Sequence, residues 1–163
     1  MELRKLKPED APLMLEWMHD ESVTRDLQTD FASKNMGDAL SFINNSLEDK
    51  ENLNLAIADD NDEYMGTVSL KHICAPGAEF AITIRSCAMG KGFSAFGMKE
   101  IMKIASKEYG LKYVYWCVSP DNARAVRFYD KNGYERVSSD CLDIKGSYTE
   151  EQILKYYWYI NRL

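Results

Sequence analysis

The chain has 163 residues, 45% of them hydrophobic and 12% aromatic, a length typical of one domain and too much apolar material for a disordered chain. Its formal net charge of −6 argues against nucleic acid as a partner, and no apolar run reaches the roughly 20 residues of a membrane-spanning helix. The N-terminus, Met1-Glu2-Leu3-Arg4-Lys5, lacks the apolar block of a secretory leader, so the expectation is a single cytoplasmic domain over 1–163 with no membrane partner.

Leu3 and Leu6 belong to a short edge-like strand. Pro8-Glu9-Asp10 then offers a turn and acidic residues suited to a helix start, and Leu13, Met14, Trp17 and Met18 recur at the spacing of one buried helical face. A second helix is predicted over 36–48, with Met36, Leu40, Ile43 and Leu47 on one stripe. Residues 21–31 between them are irregular, and Asp20, Glu21, Asp26 and Asp30 lie close together, as at the mouth of a cleft. Leu53–Ala58 alternates as a strand, Asp59-Asp60-Asn61-Asp62 turns, and 64–73 returns, which makes an antiparallel hairpin. After the break at Ala75-Pro76-Gly77, residues 79–85 alternate Phe80, Ile82 and Ile84 against Glu79, Ala81 and Thr83.

From 92 to 109 the period becomes helical, with Phe93, Gly97, Ile101, Ile104 and Ala105 inward and Lys99, Lys103 and Lys107 outward; Gly110 is placed to end the helix. Tyr113–Val118 is a strand apolar enough to be covered on both faces, Ser119-Pro120-Asp121-Asn122 initiates a helix reaching Asn132-Gly133, and 153–160 reads as an aromatic final strand. The order of elements predicts an α+β, or mixed α/β, layer with helices on a central sheet.

Cys74, Cys87, Cys117 and Cys141 stand 13, 30 and 24 residues apart with no paired spacing, and neither His19 nor His72 is near a cysteine. No metal and no His-based triad is expected. Residues 1–63 hold 6 basic and 16 acidic side chains while 64–163 hold 14 and 10, so the two parts carry −10 and +4. This is either solvated surface charge or a polyanion held by the second part and a cation approached by the first.

Two motifs carry chemistry. Met89-Gly90-Lys91-Gly92-Phe93-Ser94 follows a strand and opens a helix, either as a tight turn or as a loop whose free N–H groups hold a phosphate. It is not a Walker loop, which needs G-x-x-x-x-G-K-[ST]. In Asn122-Ala123-Arg124-Ala125-Val126-Arg127-Phe128-Tyr129, the seven-residue separation of Asn122 and Tyr129 puts both along one helical face, as a cap and a core aromatic or as a ligand-facing pair.

Together and in this order, the two motifs resemble the acetyl-CoA-binding elements of the GCN5-related N-acetyltransferase (GNAT) superfamily. Its glycine loop reads [QR]-x-x-G-x-[GA] and its later helix N-x-x-[AS]-x-x-x-Y-x-x-x-G-[FY], which this chain matches at Asn122, Ala125, Tyr129, Gly133 and Tyr134. The loop departs twice, with Met89 in place of Arg or Gln and Ser94 in place of Gly or Ala. Losing the Arg leaves either a weaker diphosphate site or one in which Lys91 compensates. The region from Trp17 to Arg25, with Glu79, resembles the ribosomal-protein and amino-sugar branch of the family.

The resemblance implies the acyl-CoA N-acyltransferase fold, a mostly antiparallel, splayed sheet of six to seven strands flanked by about four helices. It implies acetyl-CoA as cosubstrate, held by Ile82, Ile84, Arg85, the loop residues Met89, Gly90, Lys91, Gly92, Phe93 and Ser94, and by Asn122, Ala125, Phe128 and Tyr129. Tyr129 would protonate the departing thiolate, an N–H near Ile84 would polarise the thioester carbonyl, and Glu79 would take the proton of the attacking amine. The acceptor would be the amine of a small molecule or peptide, acetylated directly in a ternary complex. A non-catalytic acyl-CoA-binding module with the same fold is the alternative, favoured by Met89 and Ser94. A binding module for another nucleotide is a third. The aromatic run 156–159 is a candidate homodimer contact.

Overall fold

Alternation of apolar and polar residues builds the sheet, and in the computed structural model, which describes residues 1–163, seven strands share it. They are β1 (Glu2–Lys5), β2 (Leu53–Ala58), β3 (Tyr64–Cys74), β4 (Gly77–Ile84), β5 (Tyr113–Val118), β6 (Glu135–Val137) and β7 (Tyr157–Arg162). Their spatial order is β1-β2-β3-β4-β5-β7-β6, antiparallel throughout except for the β4–β5 pair. Four longer helices, α1 (Ala11–Met18), α3 (Met36–Ser46), α4 (Phe93–Lys107) and α5 (Ala123–Lys131), accompany the short α2 (Glu21–Thr24) and α6 (Glu150–Lys155). The mostly antiparallel sheet flanked by four helices matches the expected fold class.

Successive strand side chains point to opposite faces, so the neighbours Ala56 and Ile57 of β2, both fully buried, enter different cores. Ala56 and Tyr64 meet Met14, Trp17 and Ile43 from α1 and α3. Ile57, Val68 and Leu70 meet Met98 and Ile101 from α4. The sheet is thereby a middle layer with α1 and α3 on one side and α4 and α5 on the other.

Several local expectations are corrected. In α3 the buried seam is Ala39 and Ile43, while Met36 and Leu47 are exposed, because the helix lays its small face on α1. In α4 the inward residues include Met98 and Met102, and Ile104 is only half-buried. Residues 153–155 belong to α6, whose capping box joins Thr149 and Gln152, and the last strand begins at Tyr157. β7 is inserted between β5 and β6, and its Trp158 and Tyr159 are buried inside the chain. The aromatic run therefore packs largely within the sheet and presents only Tyr157 as an exposed large side chain.

Candidate active site

The parallel pair holds only where Gly77–Glu79 face Tyr113–Tyr115, after which β4 and β5 diverge while β5 stays paired with β7 along its length. The split opens a cavity of about 530 Å³ walled by β4, β5, α5 and the segment after α2. On the other side of β4, the Arg85 N–H donates to the Met65 carbonyl at 2.9 Å. Antiparallel ladders alternate, so the N–H groups of Thr83 and Ala81 also face β3, and those of Ile82 and Ile84 turn toward the slot. β4 thus offers an unused edge of main-chain donors and acceptors inside the molecule.

The glycine loop closes one end of the slot. Gly90 and Gly92 adopt φ values of +74° and +89°, and no atom lies within 4 Å of where a Cβ would stand on either. Glycine is needed there for the backbone and leaves the concave side open. Gly92 caps α4 with no side-chain partner, and the N–H groups of residues 92–95 find no acceptor, since helix geometry gives them none. Together with the positive end of a 15-residue helix they form an anion cradle.

α5 forms the floor. Asn122 caps it, its Oδ1 accepting from the Ala125 N–H at 3.1 Å, while its amide NH2 has no partner and the residue also lines the cavity. Both sequence-based readings of Asn122, as cap and as ligand-facing residue, are therefore compatible. Tyr129 is buried against Trp116, Tyr159 and Phe128, with ring centroids 5.2, 5.1 and 5.4 Å away, and it borders the cavity. Burial pushes its phenol well above the ordinary tyrosine value, so it carries its proton at neutral pH.

At the other end stands Glu79, which is buried and not the exposed strand-end charge its position could have made it. The Tyr148 hydroxyl donates to its carboxylate. Tyr148 belongs to the segment between β6 and α6 that crosses the mouth of the split, tied down where the Lys145 N–H donates to the Tyr115 hydroxyl at 3.1 Å and where Tyr148 packs edge-on to Trp158. A Cβ on Gly146 would stand 2.5 Å from the Tyr148 ring and 2.9 Å from Glu79 Oε2, so only glycine lets this segment approach. Burial, with Cys117 and Glu79 beside it, raises the Tyr148 phenol and keeps it a donor. Cys117 borders the same end, contacted by Gln28 Nε2 at 3.8 Å, and burial pushes its thiol up to about 11.

Ile82, Ile84, Met89, Gly90, Ser94, Asn122, Ala125, Phe128, Tyr129 and Glu79 all contribute to one cavity wall. Gly92 and Phe93 belong to the loop, but the Phe93 side chain is buried in the core and only its N–H is available. Lys91 is exposed and lies outside the cavity wall. Arg85 is a correction. Its N–H serves β3, and its guanidinium is held by Glu16 at 3.0 Å, Glu63 at 2.7 Å and the Tyr64 carbonyl at 2.9 Å, away from the slot. Three residues that sequence reasoning passed over, Cys117, Arg124 and Tyr148, reach the cavity from distant positions. No group of three or more His, Cys, Asp or Glu side chains is arranged to hold a metal ion, and no helix is long and apolar enough to cross a membrane.

A mixed sheet split at its one parallel pair, with a glycine cradle opening the next helix, defines an acyl-CoA N-acyltransferase fold. The family model described as an acetyltransferase (GNAT) domain matches residues 1–135, and the chain belongs to that family, the acetyl-CoA-dependent N-acetyltransferases. An uncharacterized N-acetyltransferase, p20 of Bacillus licheniformis, is 25% identical over 156 residues, which span 87% of this chain and 88% of that protein. Among solved structures, a spermidine N-acetyltransferase from Vibrio cholerae in complex with CoA and spermine superposes with a TM-score of 0.77 at 19% identity, covering 99% of this chain and 94% of that one. The PaiA N-acetyltransferase of Thermoplasma acidophilum in complex with coenzyme A gives 0.72 at 19% identity, over 99% and 98%. At these identities the structural likeness speaks for the fold.

Proposed function

We propose that residues 1–163 work as a single domain that moves the acetyl group of acetyl-CoA directly to a primary amine in a ternary complex. The observation that carries this reading is the split sheet, with a protonated phenol, Tyr129, on its floor and a buried carboxylate, Glu79, at its far end. The anion cradle at residues 90–95 suits the diphosphate, and the free edge at Ile82 and Ile84 suits the amide groups of the pantetheine arm. An N–H of that edge aimed at the thioester oxygen would stabilise the negative charge that develops there.

The proton balance assigns the two remaining roles. An amine arrives protonated at neutral pH and attacks only when neutral, so Glu79 takes its proton, directly or through water. As the C–N bond forms and the C–S bond breaks, Tyr129 Oη delivers its proton to the leaving sulfur, and the second proton shed by the nitrogen as it becomes an amide restores the Tyr129 phenol, directly or through water. The raised Cys117 thiol supports direct transfer, because a thiol protonated at pH 7 is a poor nucleophile and has no histidine beside it to activate it. Glu79 and Asp26 are the carboxylates bordering the cavity, which favours an acceptor carrying a positive charge.

The test is acetyl-CoA turnover, followed by loss of thioester absorbance, over a panel of spermidine, spermine, aminoglycosides, amino sugars and N-terminal peptides. Binding of acetyl-CoA at 100 times its Kd adds about 2.7 kcal/mol to stability and raises the melting temperature. Binding with no turnover on any amine would favour the non-catalytic module, and absence of any shift at millimolar acetyl-CoA would remove the cosubstrate assignment.

A further inference from the structure

Met89 opens the glycine loop where the family pattern carries Arg or Gln, and Lys91 is exposed and not among the residues lining the cavity, so the loop adds no cationic side chain to the cavity wall. α5 brings one. Arg124, two residues beyond the Asn122 cap, reaches across 35 positions of sequence to place Nη1 2.7 Å from the Met89 sulfur. Arg124 borders the cavity together with Met89, Gly90 and Ser94.

A thioether is a weak acceptor and leaves most of the guanidinium's five donors unused. Arg4, Arg25, Arg85, Arg136 and Arg162 each pair with a carboxylate. Arg124 and Arg127 pair with none, and of these two only Arg124 faces the cavity. The carboxylate that feels its field, Asp20, does so from beyond ion-pairing distance and is already held by Ser22. Ser94 of the same loop borders that cavity, and the N–H groups of residues 92–95 have no acceptor. An unpaired planar fork and a row of unpaired main-chain donors beside one cavity are together complementary to an anion with several oxygens.

We propose that Arg124 binds the diphosphate of acetyl-CoA, supplying from α5 the charge that Met89 withholds from the loop. This rests on the acetyl-CoA reading above and adds a binding residue to it. The Met89 side chain then has a part of its own, as a polarizable surface under the guanidinium where an arginine would repel it.

The experiment measures Kd by calorimetry for acetyl-CoA and acetyl-3′-dephospho-CoA, and kcat/KM with S-acetyl-pantetheine, which has no phosphate. Arg124→Ala should weaken both nucleotides about tenfold, the effect of one partly solvated charge-assisted contact, and leave kcat/KM with S-acetyl-pantetheine at the parental value. Arg124→Lys, which keeps the charge and loses the fork, should fall between. Met89→Arg introduced into Arg124→Ala should restore most of the affinity. A parental Kd in Arg124→Ala overturns the proposal. So does a loss seen with acetyl-CoA but not with its 3′-dephospho form, which assigns Arg124 to the 3′-phosphate, and so does an equal loss with S-acetyl-pantetheine, which makes its role structural. A parent that binds no acetyl-CoA overturns the cosubstrate reading and this proposal together, whereas a binding parent with an indifferent Arg124→Ala overturns this proposal alone.

Discussion

Replacing Tyr129 by Phe removes one oxygen from the floor of the cavity and almost nothing else. The ring keeps its contacts with Trp116, Phe128 and Tyr159, and the hydroxyl has no hydrogen-bond partner in the protein, so its loss strands no buried group. Stability should therefore stay within about 1 kcal/mol of the parent, roughly 2–4 °C in Tm for a chain of this size. Acetyl-CoA affinity should be unchanged. Turnover should fall by about 10²–10⁴, the usual range for losing a positioned acid, which is a barrier increase of about 2.7–5.4 kcal/mol. The sign with pH is also set. Burial raises the Tyr129 phenol, so the donor form persists through neutral pH and past the ordinary tyrosine value of about 10, and no loss of activity below that pH belongs to Tyr129. The assay should follow thioester absorbance and not a thiol reagent, because Cys74, Cys87 and Cys141 are exposed and would react with one. A Tyr129→Phe protein with parental kcat would make the phenol a packing residue. One with intact kcat but weakened acetyl-CoA binding would make it a ligand contact.

Glu79→Gln keeps an acceptor for the Tyr148 hydroxyl but cannot take a proton, so kcat/KM at pH 7 should drop with acetyl-CoA Kd unchanged, and raising the pH should partly restore it as more of the amine arrives neutral; a parental pH–rate profile would move the base role elsewhere. Arg85→Met should lower Tm by about 3–10 °C, since it leaves the Tyr64 carbonyl without its partner while Glu16 and Glu63, about half exposed, rehydrate, and a simultaneous rise in acetyl-CoA Kd would return Arg85 to the cofactor site. Iodoacetamide at pH 8 should give three rapid adducts and a slow fourth at Cys117, counted by mass spectrometry. The stability tied to the neutral Cys117 thiol should be complete below the ordinary value of 9.0 and lost as pH rises through about 11, so a Cys117→Val variant should show a flatter alkaline Tm curve.

The elements that could be read from sequence were those whose signal is local. The β2–β3 hairpin announces itself by alternation around Asp59-Asp60-Asn61-Asp62, and α4 by its period and Gly110. α6 was legible too, since Thr149 and Gln152 form the S/T-x-x-E/Q box, but the aromatic residues beyond it drew the strand start four residues early. β6, three residues long, has no periodicity to show. The site divides in the same way. The glycine loop and the Asn122–Tyr129 face lie on contiguous segments, whereas Tyr148 meets Glu79 across 69 positions, Glu16 meets Arg85 across 69, and Arg124 meets Met89 across 35. A charged residue at a strand end looks the same in sequence whether it faces a slot, as Glu79 does, or an internal ion pair, as Arg85 does, because the partner that decides is elsewhere in the chain.

The insertion of β7 between β5 and β6 also sets an order of assembly. During synthesis β1 through β4 can pair as a meander, each strand beside one already made, but β5 must wait for β7, more than 35 residues further on, to cover its second edge. Until Tyr159 arrives, Trp116 lacks its stacking partner and Tyr129 one wall of its nest. A nascent chain short of β7 therefore exposes an apolar strand edge beside the place where the cleft will form, an edge open to mispairing until β7 covers it.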